Sequence, residues 1–419
     1  MRLPQSSLLS ALERQSGMIA VVGSDGNLFL TDQAARRTIP LTEDARLTPG
    51  DDGEIIRYDA PTWSPDGRRL AYMRISAVQG GRIDSSVFVT GEEGQDALEV
   101  YHSTRDLPIY LYWSPDARWV SFLTGMVGGG PLALRLAPAD GGEGSVIDSG
   151  APYYWAWSPS EATLLVHVNG SDDASPNARL SLLDVGDSVV ETSLGRSPGT
   201  FQAPAYSPDG DSLLFAADRE GGGGSLILSD ARGRTQSVVA EFPGSVAFDW
   251  APQGNLAAYV ASPAQGLTLP GKLTFLDLQD RENPVRRETD ADGVVAFFWS
   301  PDGKSVAYIV LVTISAEGEP VAPEDVSRSQ IFVSLFVADA ATGESRAVAT
   351  FRPTNAFLEI LPYFDQYQRS ATLWSPDGNY LVVASAVGPD TDGIFLVSPT
   401  GNLEPRFLVD GRLAFWSRE

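Results

Sequence analysis

The chain of 419 residues contains no cysteine, which excludes disulfides, thiolate metal sites and a cysteine nucleophile. It contains two histidines, His102 and His167, so no histidine-rich metal spacing exists and imidazole chemistry is close to unavailable. No apolar run approaches the roughly 18–20 residues needed to span a bilayer, and membrane insertion is not expected. Met1 to Ser16 has two basic residues, Arg2 and Arg14, and no long apolar stretch, so it does not read as a secretory leader. The expected location is periplasmic or otherwise extracytoplasmic if a leader has been removed, and cytoplasmic if not. Basic residues are also scarce, 30 against 54 acidic ones, for a formal charge of −24. Such a surface repels phosphate backbones and argues against nucleic acid as a partner. It also resists self-association, and a monomer is expected.

Tryptophan, by contrast, is placed with regularity. Seven of the nine head copies of a Trp-Ser-Pro-Asp-Gly-like pentapeptide, at Trp63, Trp113, Trp157, Trp250, Trp299, Trp374 and, cut short, Trp416. Tyr206 takes the same place once. Most copies stand 42 to 50 residues apart, with one step of 75 from Trp299 to Trp374. A period in this range marks four-stranded blades set around an axis. Within a unit, Tyr58–Ser64 reads as an inner strand that ends in a type I turn, with Ser64 first, Pro65 second and Gly67 fourth. Leu70–Met73, Val87–Val89 and Leu98–Tyr101 read as the next three strands, with a polar connection over Gln79–Asp84. Three turns depart from the pattern: Ala117 replaces glycine, Ser160-Glu161 replaces Asp-Gly, and Ala251 and Gln253 intrude after Trp250. A large ring at the repeated position is expected to pack between adjacent blades.

The chain begins without an inner strand. Met18–Val22, Asn27–Asp32 and Arg37–Thr42 read as second, third and outer strands, and Arg412–Ser417 reads as an inner strand with nothing after it. Pairing the two fragments gives a composite blade that closes the ring. The expected fold is therefore all-β, an eight-bladed β-propeller over residues 17–419, preceded by a short arm or helix in residues 1–16. Seven blades result if the irregular Trp157 copy lacks a true inner strand. The recurring Trp-Ser-Pro-Asp-Gly followed by a Leu-Ala-Tyr-like strand resembles the WD-repeat-like units of TolB propellers. It also resembles the propellers that precede the catalytic domain in prolyl-oligopeptidase-type and dipeptidyl-peptidase-type enzymes. The resemblance implies architecture and carries no activity; no residues remain here for an α/β-hydrolase domain.

Local motifs for chemistry are weak. Gly195-Arg196-Ser197-Pro198-Gly199 matches Gly-x-Ser-x-Gly, but Pro198 lacks the amide that an oxyanion hole needs. Glu288, Asp290 and Asp292 before Gly293 form a partial calcium loop whose twelfth position is Trp299 rather than glutamate. Asp172, Asp173 and Asn177 share one loop, and Asp390 and Asp392 another. Solvated turns are the simpler reading for all three, so no cofactor is expected and calcium is the sole candidate ion. No catalytic or metal-ligating residue is assigned.

Long connections point to where a partner would bind. Val312–Gln330 and Arg352–Ser370 should emerge on the face made by the outer-to-inner connections, joined by Glu43–Arg57. Arg352–Ser370 carries Phe357, Tyr363, Phe364 and Tyr367, a candidate protein or peptide docking patch. The alternative is that these rings fold back over the propeller. Arg57, Asp59, Arg105, Asp106 and Arg369 are candidates to line the channel mouth. The expected function is a non-catalytic binding module or scaffold engaging a protein or peptide through the loop-rich face. The alternatives are a substrate-binding or enzymatic propeller using acidic and arginine groups in the channel, or a calcium-dependent sensor.

Overall fold

The structure is a computed structural model that describes residues 17–50, 53–78, 81–126, 129–142, 144–169, 178–199, 202–263, 270–315, 329–388 and 391–418. The expected arm or helix in residues 1–16, the Asp172–Asn177 loop and Asp390 lie outside the described residues. No helix among the described residues is long and apolar enough to cross a membrane.

The repeat builds eight antiparallel sheets arranged in a ring, seven of four strands and one of three. We number them blades 1 to 8, with blade 1 the composite. Its inner strand is Leu413–Trp416, followed outward by Ile19–Val22, Leu28–Thr31 and Thr38–Pro40. The closing register is Ile19 with Trp416, Ala20 with Phe415, Val21 with Ala414 and Val22 with Leu413. Met18 N donates to Ser417 Oγ at 3.0 Å, which pins the end of the pairing. Blades 2 to 8 follow in chain order, and the irregular Trp157 copy keeps a full inner strand, Tyr153–Trp157. Blade 8 is the three-stranded one: its inner segment is reduced to single bridges, Thr372 to Trp416 and Trp374 to Leu381.

The pentapeptide works through one side-chain network. Ser64 Oγ donates to Asp66 Oδ1 at 2.6 Å and accepts from Arg69 N at 2.9 Å, so the turn and the start of the next strand share one hydroxyl. The same Ser–Asp bond recurs at Ser114–Asp116, Ser207–Asp209, Ser300–Asp302 and Ser375–Asp377. At Asp209 the Ser207 hydroxyl and the Asp211 amide hold the carboxyl below its ordinary range. Ala117, where the others have glycine, takes the same left-handed conformation at φ 55°, a strained one for a residue with a Cβ.

The repeated indoles join neighbouring blades. Trp113 Nε1 donates to Thr62 O at 2.9 Å and Trp374 Nε1 to Phe298 O at 3.0 Å; each acceptor lies one residue before the preceding copy's tryptophan. Trp157 instead shares Ser121 Oγ with Trp155, each at 3.0 Å. At these copies ring packing and a satisfied N–H coincide, whereas the buried Nε1 atoms of Trp63, Trp250 and Trp416 have no partner, and the core is a band of inner and second strands between the blades.

Strand lengths are unequal. The second strand is ten residues long in blade 2, Arg69–Val78, and eleven in blade 7, Ser305–Ser315. It is six in blade 8, Leu381–Ala386, and four in blade 1. Of the segments expected to be connections, Gln79–Asp84 and Val312–Gln330, the described ends are mostly strand: the second strands run to Val78 and Ser315 and their partners start at Arg82 and Ser329, while residues 79–80 and 316–328 lie outside the described residues. The second strands of blades 2 to 8 start from the same turn, and that of blade 1 starts level with it, opposite Trp416, so the surplus lies at the opposite end of the ring. At about 3.3 Å per residue, the hairpins of blades 2 and 7 rise roughly 13 to 23 Å above blades 8 and 1 between them.

Candidate functional site

The segment between blades 7 and 8 is not an open loop. It folds into a helix, Asn355–Ile360, a 3₁₀ turn, Leu361–Tyr363, and a short helix, Phe364–Tyr367. Thr354 caps the first helix, its Oγ1 accepting from Phe357 N at 3.2 Å while donating to Arg412 O of blade 1 at 2.6 Å. The whole segment forms a plug across the loop-rich end of the channel and bonds most of the ring from inside. Phe364 packs edge-on against Phe297 of blade 7, ring centroids 5.1 Å apart. Tyr110 of blade 3 donates its hydroxyl to Gln366 O at 2.6 Å, and Tyr367 stacks edge-on against the same ring. Gln366 reads the backbone of blade 4 like a strand partner: its Oε1 accepts from Trp155 N at 3.1 Å and its Nε2 donates to Trp155 O at 3.0 Å.

An acid–base cluster lies beneath. Asp365 Oδ2 accepts from Ala203 N of blade 5 at 2.7 Å and Oδ1 from Gln366 N at 3.0 Å. Arg369 Nε donates to the Asp365 carbonyl at 3.1 Å, and its Nη2 lies 3.4 Å from Asp249 Oδ1 of blade 6. Burial pushes the Asp365 carboxyl up to about 6, opposed by the Ala203 amide and by Arg369. Burial also raises Asp249, opposed first by Arg369.

The sequence candidates therefore separate. Phe357 and Phe364 are buried core residues of the plug, and Tyr367 is partly buried against Tyr110, so these rings cover the propeller. Tyr363 stays at the surface, 36% exposed. Arg369 is inside the channel. Arg57 and Arg105 are exposed at the plugged end, Asp59 binds the Ala60 amide at 2.9 Å, and Asp106 faces Arg135 of its own blade at 3.7 Å. The structure does not gather Arg57, Asp59, Arg105, Asp106 and Arg369 into one constellation.

Of the calcium candidates, Glu288 bonds Lys272 at 2.7 Å and Asp292 binds the Gly293 amide at 2.8 Å. Among the described residues no group of three or more His, Asp or Glu could hold a metal ion. Pro198 of the Gly-x-Ser-x-Gly match bridges Ala217 as an added strand contact. His167 is fully buried in its strand, which lowers its imidazole to about 4.

Sequence reasoning missed Asp249, Asp365 and Gln366. A signal for Asp249 was present: the residue before the repeated aromatic is Thr62, Tyr112, Ala156, Ala205, Asp249, Phe298, Leu373 and Phe415, and only one carries a charge. Asp365 and Gln366 carry no such mark, because their partners are backbone atoms of other blades.

The other end of the channel, beside the repeat turns, is open. It forms a cavity of about 450 Å³ whose floor includes Gln368 and Arg369 of the plug. Tyr112, Trp157, Tyr206, Phe298, Trp299 and Trp374 stand around it, with Asp249 and Arg418.

No protein-family model matches the chain. An uncharacterized protein of Agrobacterium fabrum is 27% identical over 172 residues, 39% of this chain and 52% of that protein. The match thus spans about half the length of that relative. Among solved structures, a eukaryotic initiation factor is similar at 13% identity with a TM-score of 0.52, over 96% of this chain and 99% of that one. TolB from Acinetobacter baumannii is similar at 15% identity and a TM-score of 0.41, over 93% and 78%. At these identities the likeness is one of fold.

Proposed function

We propose that the protein is a non-catalytic binding module that takes a protein or peptide segment on its plugged face, in the trough over blades 8 and 1. The observation that carries this reading is the unequal strand length. The ten- and eleven-residue strands of blades 2 and 7 flank two blades whose second strands are four and six residues long. A floor between two raised hairpins is a shape that receives an extended chain.

The surface chemistry on that side supports the reading. Leu47, Met126, Leu311, Ile331, Tyr363 and Val387 are all exposed apolar or aromatic residues; Leu311 and Ile331 lie on the projecting strands of blade 7, and the others at or beside outer-to-inner or second-to-third connections. Arg57 and Arg105 supply exposed donors among them. Apolar anchors with a polar rim are the usual composition of a recognition patch. The acid and base groups under the plug bond to backbone and to one another, which supports a part in holding the plug.

The reading is tested by placing a photo-crosslinking side chain at Tyr363 or Val387 in the intact protein, in cells of its source. Leu403, exposed on the opposite face between third and outer strands, is the control. A discrete protein adduct at the first two positions and none at Leu403 is expected. Absence of adducts, or equal adducts at all three, would falsify the assignment.

A further inference from the structure

The cavity on the turn face has donors without acceptors. Arg369 lines it with a side chain only 6% exposed. Its Nη2 is ion-paired with Asp249 Oδ1 at 3.4 Å but outside hydrogen-bond geometry, so its donor capacity is not filled. Trp250, another lining residue, has a buried Nε1 without a partner, as do the equivalent indoles of Trp63 and Trp416 away from the cavity, whereas those of Trp113 and Trp374 bond a neighbouring blade. Leaving such donors unmet in a low-dielectric site is costly. Arg418, exposed at the mouth, is steered there by bonds from its Nη2 to the carbonyls of Gln368, at 3.1 Å, and Arg369. Two guanidinium groups thus face one carboxylate, Asp249, inside a protein whose formal charge is −24. A cation entering here would meet the two guanidinium groups, whereas an anion would complete them.

The walls are of the other character. Trp157, Trp299, Trp374 and Phe298 line it, and so do the turn prolines. A cavity of about 450 Å³ is within the range of small-molecule sites. Guanidinium groups bind carboxylates through paired N–H donors, and aromatic walls bury a ring.

We propose that the turn-face mouth of the channel binds a small organic carboxylate with a ring-shaped apolar body, Arg418 and Arg369 holding the carboxylate and the aromatic walls holding the ring. This site is on the face opposite the peptide trough and does not depend on it.

The experiment is titration of the full chain with benzoate, phenylacetate and indole-3-acetate, followed by calorimetry. Benzamide serves as the neutral isostere of benzoate, and Arg418→Gln as the variant. Arg418 is exposed, so its replacement should lower the unfolding temperature little although it gives up the bonds to Gln368 O and Arg369 O, and the melting curve of the variant separates binding from folding. Saturable binding of at least one acid at about 1 mM or tighter is expected. Weakening by at least tenfold for both benzamide and Arg418→Gln should accompany it when benzoate is that acid; for another acid the variant alone decides. Failure of all three acids to bind overturns the proposal. Binding that Arg418→Gln leaves unchanged also overturns it, since the acid then sits elsewhere.

Discussion

Two buried groups set opposing pH dependences, and replacing Asp365 should expose one of them. Asp365 has a folded pKa raised to about 6 by burial, against an ordinary 3.8. Its unfolded carboxyl therefore ionises first as pH rises, and the stability it contributes below about pH 4 is lost as pH climbs through 6. His167 runs the other way. Burial lowers it to about 4 from 6.5, so its contribution is complete above pH 6.5 and is lost as pH falls toward 4. Each shift is a little over two units, and at 1.36 kcal/mol per unit each slope amounts to roughly 3 kcal/mol across the same window. The two nearly cancel, so between pH 4.5 and 7 this pair leaves the wild-type stability almost level. Asp249, also raised by burial and facing Arg369, adds to the Asp365 direction.

Asp365→Asn removes one slope. The amide can accept from only one of the two backbone N–H groups that the carboxylate serves, so the variant should lose about 1–3 kcal/mol at acid pH from the unmet donor. Its deficit relative to wild type should then shrink, or reverse, as pH rises from 4.5 to 7. His167→Gln should show the mirror trend, gaining on wild type as pH falls. The assay is urea unfolding at several pH values, reported as the difference from wild type so that the common background of surface carboxylates drops out. A pH-independent difference for Asp365→Asn would refute the assignment of a raised pKa to this residue.

Three further outcomes follow from the packing. Trp299→Ala removes a ring 7% exposed between blades 6 and 7 and should cost about 3–5 kcal/mol in denaturant unfolding. Ala117→Gly relieves the left-handed strain at φ 55° and should raise stability by about 1 kcal/mol, read as a higher Tm. Gln366→Ala strands the Trp155 amide and carbonyl that it serves at 3.1 and 3.0 Å. It should cost about 2–4 kcal/mol and speed hydrogen exchange at the Trp155 amide, and unchanged exchange there would contradict the plug geometry.

The ring was legible because its information is repeated and local. Ser, Pro, Asp and Gly at fixed offsets dictate the turn, and the apolar runs beside them dictate the strands, so eight blades and the pairing of the last strand with the first follow from spacing. Strand ends were less legible. Glu54, Arg74, Ser76 and Asp84 look like loop residues, yet they belong to strands that stand clear of the core, where polar side chains are tolerated on both faces. The plug was half legible. Its aromatic content marked it as unusual, but a six-residue helix shows too little periodicity to be placed, and its partners are scattered over blades 1 and 3 to 7.

That scatter explains why the plug carries charge at all. Eight inner strands leave an axial space that their own side chains do not fill, and an apolar plug would fill it without fixing its orientation. Hydrogen bonds from Thr354, Asp365 and Gln366 to backbone atoms of blades 1, 5 and 4 define one rotation of the plug about the axis. A buried carboxylate raised to about 6 destabilises the neutral-pH protein, yet its two oxygens satisfy two backbone amides that no apolar side chain could. The same rotation sets where Tyr363 emerges on one face and where Arg369 reaches the cavity on the other. Both proposed sites therefore depend on one rigid element, and a substitution such as Gln366→Ala should loosen them together.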